Sequence, residues 1–155
     1  MNEQDVSILI AVDDPVESGL LAKTLAGAGY RCIEAVTSGP GALAALEREP
    51  FPIVIASAEP AGLGGCELCR AIRARGAAAY VYVLILARGR RKALVLKALA
   101  AGADAVLARP VDPAELSARI AAARRIVDLE RSLRLTNEEV RALSIRDPLT
   151  GVFNR

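Results

Sequence analysis

The chain has 155 residues and a formal net charge of +2; 53% of it is hydrophobic, 25% charged and 3% aromatic, and it has no histidine. That length fits one compact domain plus an appendage, with a core packed from aliphatic side chains. A charge so near zero, with no basic stripe interleaved with aromatics, excludes the footprint of a nucleic-acid binder, and the missing histidines exclude imidazole metal ligands, a histidine general base and a phosphohistidine relay.

The opening Met1-Asn2-Glu3-Gln4-Asp5 is polar and acidic and is no signal peptide. Residues 7–12 then read as a strand that is apolar almost throughout, the pattern of a strand covered on both faces. Pro15 suits the first turn of a helix over 16–28, in which Leu20, Leu21 and Leu25 recur at helical spacing and which Gly29 ends. A weaker, edge-like strand follows at 31–35, then a helix through 42–46 that stops before Pro50. Residues 53–57 form the third strand, ending on Ser57. A Gly-rich loop at 60–65 leads to a helix over 66–73. The fourth strand is expected at 80–86, the fourth helix at 92–101 with Gly102 as its stop, and a short fifth strand at 105–108.

Strands alternating with helices predict parallel βαβ units with right-handed crossovers. Five of them fit an α/β flavodoxin-like, doubly wound sheet in the order 2-1-3-4-5. Ligands of such sheets bind beyond the carboxyl ends of the strands, where Asp13, Asp14, Ser57, Ala87 and Arg109 all fall, so these five are expected to share one crevice.

After Pro110 nothing interrupts a helix from Asp112 to about Leu143, because Pro113 is well placed as its first residue and no later Gly or Pro appears in that stretch. Ile126, Leu133 and Val140 repeat every seventh residue, as do Leu129, Thr136 and Leu143, giving a heptad seam with Thr136 as its polar position. The alternative is an ordinary amphipathic helix packed on its own domain. About 30 helical residues would span about 45 Å, longer than the face of a small domain, so a parallel two-stranded coiled coil is expected.

Three cysteines, an odd number, do not make a disulfide framework. Cys66 and Cys69 form a C-x-x-C, but no second cysteine pair or histidine completes a metal site, and they read as small buried residues of a helix. No apolar run is long enough to cross a bilayer, and the cytoplasm is the expected compartment.

The chain over about residues 6–124 resembles a bacterial response-regulator receiver domain (the CheY-like fold). The matching motifs are Ile8-Leu9-Ile10-Ala11-Val12-Asp13-Asp14-Pro15, Gly65-Cys66-Glu67-Leu68-Cys69-Arg70, Gly102-Ala103-Asp104 and Arg109-Pro110-Val111-Asp112-Pro113, in the family's order and near its spacing. The resemblance implies Mg²⁺ bound by acids after the first strand, an acceptor aspartate ending the third, a hydroxyl after the fourth and a lysine before the proline. Position by position, this chain departs from that pattern. Val12 stands at the first acidic position, while Asp13 keeps the second and Asp14 its neighbour. Ser57 stands at the acceptor position; a register one residue earlier would put Ala56 there, and neither is an aspartate. Ala87 replaces the hydroxyl, Arg109 the lysine, and Val106 the aromatic switch residue.

A serine cannot form the acyl phosphate of such switches. Mg²⁺ favours several oxygen ligands including carboxylates. Asp13 and Asp14 are the only metal candidates and make a poor site alone, so no cofactor is expected. A standing salt bridge from Arg109 to Asp13 is expected to replace the metal.

The last residues, Asp147-Pro148-Leu149-Thr150-Gly151-Val152-Phe153-Asn154-Arg155, closely resemble the D-x-L-T-G-x-x-N-R opening of GGDEF-type diguanylate cyclase domains. In that family the motif follows a coiled-coil helix, as here. The expected organisation is a receiver-like domain at 1–124, a signalling helix at 125–146 and the start of a GGDEF domain at 147–155, in a segment of a longer protein. The chain itself is expected to be no enzyme. It is expected to act as a regulatory pseudo-receiver that dimerises through the long helix, with the face of the fourth and fifth helices as a further contact, and sets the geometry of a C-terminal cyclase. The rivals are a phosphorylation-competent receiver using Ser57 and a sensor binding a small molecule or partner in the emptied crevice.

Overall fold

The computed structural model describes residues 6–58, 64–76, 79–89 and 92–145. The elements run β1 (Ser7–Ala11), α1 (Pro15–Gly27), β2 (Cys32–Val36), α2 (Gly39–Arg48), β3 (Ile53–Ser57), α3 (Gly65–Ala74), β4 (Tyr82–Arg88), α4 (Lys92–Ala100), β5 (Ala105–Arg109) and α5 (Pro113–Ile145). All strand pairs are parallel and the sheet order is β2-β1-β3-β4-β5, as expected.

Strand parity divides the core into two layers, because successive side chains of a strand point to opposite faces. Ile8, Ile10, Ile53, Ile55, Leu84, Leu86 and Leu107 pack with Leu21 and Leu25 of α1 and with Leu116, Ile120 and Val127 of α5. Leu9, Val54, Ala56, Val83 and Ile85 pack on the other side, with Ala42 and Ala45 of α2, Leu68, Cys69 and Ile72 of α3 and Ala98 of α4. Burying each large aliphatic side chain contributes roughly 1.5–3 kcal/mol. β3 is buried along its whole length, which explains its unbroken apolar run.

Side-chain oxygens set the helix starts. Asp14 accepts from the Val16 amide at 2.9 Å, Ser38 from Gly41 at 3.1 Å and Asp112 from Ala114 at 3.0 Å. β4 begins two residues later than the sequence suggests. Its ladder opens where Tyr82 pairs with Ile53 and donates to the Pro52 carbonyl, whereas Tyr80 turns toward Asp104.

α5 has 33 residues and runs unbroken past residue 124. Leu116, Ile120, Ala123 and Val127 are buried; from Asp128 onward every described side chain of α5 is exposed. The GGDEF-like residues Asp147, Leu149, Thr150, Gly151, Asn154 and Arg155 lie outside the described residues.

Candidate functional site

Ser57 and Arg109 end β3 and β5, and both follow the parity of the α1 and α5 side of the sheet. The Arg109 guanidinium reaches across the carboxyl edge, where its Nη2 donates to Ser57 Oγ at 2.8 Å and to Glu17 Oε1 at 2.7 Å. The Arg109 and Glu17 side chains are only 13% and 23% exposed, and Ser57 is buried at 6%. An ion pair so far out of solvent is screened much less than a surface pair. The Arg109–Pro110 peptide is cis.

Gly65 makes this packing feasible. A Cβ there would stand 2.4 Å from the Ser57 carbonyl oxygen and 3.1 Å from Ile85 Cδ1, so only glycine lets the first turn of α3 press against the end of β3.

The expected Arg109–Asp13 salt bridge is not formed; Arg109 pairs with Glu17 instead. The reason lies in how α1 starts. Asp14 is committed to capping the helix, Asp13 before it is exposed, and Glu17, one turn in, comes down over the sheet edge. In the sequence, Glu17 three residues after the capping Asp14 reads as the distal member of a capping box. That reading hides its role, because its side chain spends its charge on Arg109.

Of the five residues expected to share a crevice, one pair is in direct contact. Ser57 and Arg109 meet, but Asp13 and Asp14 are exposed on the loop after β1. Ala87 is fully buried, one residue beyond the β4 partner of Ser57, so its side chain follows the parity of the opposite layer. Val106 packs against that same opposite layer, and Val12 is a fully buried member of the α1 and α5 core. Ala56 is likewise in the opposite layer, away from Arg109. A cavity of about 350 Å³ lies beside the ion pair, lined by Val16, Glu17 and Leu20 of α1 and by Pro110, Val111 and Leu116 near the start of α5. Among the described residues, no group of three or more His, Cys, Asp or Glu side chains could hold a metal ion.

A second polar cluster occupies the opposite, amino edge of the sheet. Asp104 accepts from Arg73 Nη2 at 2.8 Å, from the Val83 amide at 2.8 Å and from the Tyr80 hydroxyl. Arg73 also donates to the carbonyls of Gly102 and Val81, and it lies 5.0 Å above the Tyr80 ring. Burial, with the hydrogen bond to Asp104 next, pushes the Tyr80 phenol well above the usual range. These contacts tie α3, β4 and β5 together as a brace. Cys66 and Cys69 are buried free thiols, and burial pushes the Cys69 thiol up, away from the reactive thiolate.

Comparison with known proteins follows the same boundaries. A family model described as the response regulator receiver domain matches residues 8–121. Response regulator PleD of Caulobacter vibrioides is 30% identical over 106 residues, covering 68% of this chain and 23% of PleD. The KDP operon transcriptional regulatory protein KdpE of Escherichia coli is 34% identical over 119 residues, covering 77% of this chain and 51% of KdpE. The chain thus spans about half or less of the length of these curated relatives. Among solved structures, chemotaxis protein CheY4 of Vibrio cholerae superposes with a TM-score of 0.72 at 23% identity, covering 77% of this chain and 98% of CheY4. A "probable two-component system response regulator/GGDEF domain protein" superposes with a TM-score of 0.75 at 20% identity, covering 81% of this chain and 52% of that one. At these identities the two structures attest the fold.

Proposed function

The chain belongs to the response-regulator receiver family, and from that premise we propose that it is a receiver without phosphoryl chemistry, working as a dimerising and signal-transmitting module for a C-terminal diguanylate cyclase. It is regulatory and not itself an enzyme. The reading places the protein in the cytoplasm, in keeping with the described residues, where no helix is long and apolar enough to cross a membrane.

The loss of chemistry rests on the donor set at the carboxyl edge. An acyl phosphate needs a carboxylate nucleophile, and the residue beside the site's cation is Ser57. Phosphoryl transfer also leans on metal and cation to neutralise charge. Mg²⁺ does not fit: Val12 offers no side-chain oxygen, Asp14 is committed to capping, and the positive charge beside Ser57 is already the Arg109 guanidinium.

The observation that carries the dimer is the direction of the seam on α5. At about 100° per residue, the core stripe Leu116, Ile120, Ala123, Val127 and the seam Ile126, Leu129, Leu133, Thr136, Val140, Leu143 lie roughly 140° apart around the helix. The seam therefore faces away from its own domain, and its Leu129, Leu133, Val140 and Leu143 are 58–73% exposed. Ile126, Leu133 and Val140 occupy one heptad position, two of the three β-branched, and Leu129, Thr136 and Leu143 the other, two of the three leucine, which leans toward the arrangement that favours two parallel strands. Apolar residues repeated on a bare helix face call for a partner surface, and a second copy supplies a self-complementary one. Leu96 and Leu99 on α4 are also exposed and extend the apolar surface available to a dimer.

Output follows from geometry. Parallel helices deliver both carboxyl ends to the same place, where the GGDEF-like motif begins in each copy. A diguanylate cyclase must bring two active sites face to face, so the register and rotation of α5 become the control variable.

Two measurements test the reading. Light scattering at tens of micromolar should give a dimer, and a monomer overturns it. Incubation with acetyl phosphate should leave no labile adduct; an adduct of phosphate mass would restore the competent-receiver reading.

A further inference from the structure

We infer that Glu17 is a built-in ligand of the crevice: an α1 carboxylate seated on Arg109 that excludes tetrahedral oxyanions and clamps α1 to the base of α5. The inference rests on the reading that Ser57 carries no phosphoryl group. It adds what fills the crevice in place of one.

A guanidinium beside a hydroxyl is the usual chemistry for binding phosphate or sulfate, since charge-assisted N–H donors to such oxygens are strong and directional. Arg109 and Ser57 have that arrangement, at 2.8 Å from each other. Glu17 then takes the anion's place, its Oε1 2.7 Å from the same Nη2 that meets Ser57. Because Glu17 is part of the chain, it competes at an effective concentration that a free anion at millimolar levels does not match. Both charged side chains are largely withdrawn from water, so the pair holds against ordinary salt better than an exposed one.

The contact links three elements. Glu17 lies in the first turn of α1, Ser57 ends β3, and Arg109 ends β5 four residues before α5 begins. The adjoining cavity lies between α1 and the segment that follows β5, with Val16 and Leu20 on one side and Pro110, Val111, Pro113 and Leu116 on the other. The ion pair therefore pins the cavity's two walls together at its rim. Here the anion is covalently present, so the pair holds the base of α5 against α1.

The test uses the 155-residue chain and its Glu17→Gln variant, which keeps the side-chain shape and removes the charge. Inorganic phosphate is titrated into each while backbone amide shifts and hydrogen exchange are followed. In Glu17→Gln, exchange at the amides of residues 16–19, 109, 111, 112 and 114–116 should rise. Phosphate should then shift the amides near 57 and 109–111 saturably, at least about tenfold more tightly than in wild type, and return exchange toward the wild-type level. Adding Arg109→Ala to Glu17→Gln should abolish that response. Equal phosphate responses in wild type and Glu17→Gln, or none in either, overturn the inference while leaving the unphosphorylatable reading intact. An acetyl-phosphate adduct on the wild-type chain removes that reading, and this inference with it.

Discussion

α5 is one continuous helix whose halves differ in where their apolar residues point. From Pro113 to Val127 the apolar stripe is Leu116, Ile120, Ala123 and Val127, all buried on the sheet. Beyond Val127 the same side of the helix carries Arg131, Arg134, Glu138 and Arg141, and the seam leucines lie on the far side. The helix continues for about 27 Å past the last buried residue. Uninterrupted helical sequence therefore says little about what a helix packs on. The rotation of its apolar stripe says where one partner ends and another begins.

The largest expected effect separates the halves by stability. Ile120→Ala leaves a cavity in the α1 and α5 core layer and should cost about 2–5 kcal/mol of folding stability, read from thermal or urea melts. Leu133→Ala, on the exposed half, should change the melt of the receiver body by no more than about 0.5 kcal/mol at concentrations where the chain is monomeric. If both cost the same, the seam is covered by the chain's own domain and the division of α5 collapses.

Next comes association. Leu129→Glu with Leu133→Glu places like charges in adjacent layers of the seam. The pair should raise the dimer dissociation constant by at least a hundredfold, roughly 3 kcal/mol, with circular dichroism of the body unchanged. Sedimentation equilibrium reads the constant directly. A smaller gain is expected from Thr136→Leu, which replaces the seam's polar layer with an apolar one and should tighten the dimer about tenfold.

How much of this was legible in the sequence differs between fold and site. β1, β3 and β4 announce themselves because strands covered on both faces need unbroken apolar runs, and Pro15 and Pro113 announce two helix starts. The start of β4 was misplaced because Tyr80 and Val81 have strand-like side chains, while their hydrogen bonds go to Asp104 and Arg73. Ser57 and Arg109 were legible as members of one crevice, because both fall at the carboxyl ends of strands. Glu17 was not, since its partner lies 92 residues away and an acid in a first helical turn already has a local explanation. The Arg73, Tyr80 and Asp104 brace escaped for the same reason; it draws on the loops before β4 and β5 together with α3, and none of its members carries a periodic signal.

The smallest effect sharpens the comparison most, because it asks which way the second half is paired. In the heptad that places Ile126 and Leu133 at one core position and Leu129 at the other, Arg125 and Glu130 flank the seam. In a parallel, in-register dimer, Arg125 of one copy faces Glu130 of the other, five residues further along, and symmetry makes the contact twice. Both side chains are exposed, so each contact is worth only about 0.2–1 kcal/mol and weakens with salt. Arg125→Glu alone sets like charges across the interface and should loosen the dimer severalfold at low ionic strength. Adding Glu130→Arg restores opposite signs in the parallel register and should recover most of the loss, a double-mutant coupling that an unrelated geometry has no reason to produce. Without recovery, the two helices meet in another register or direction, and the carboxyl ends that would present two cyclase domains to each other are not side by side.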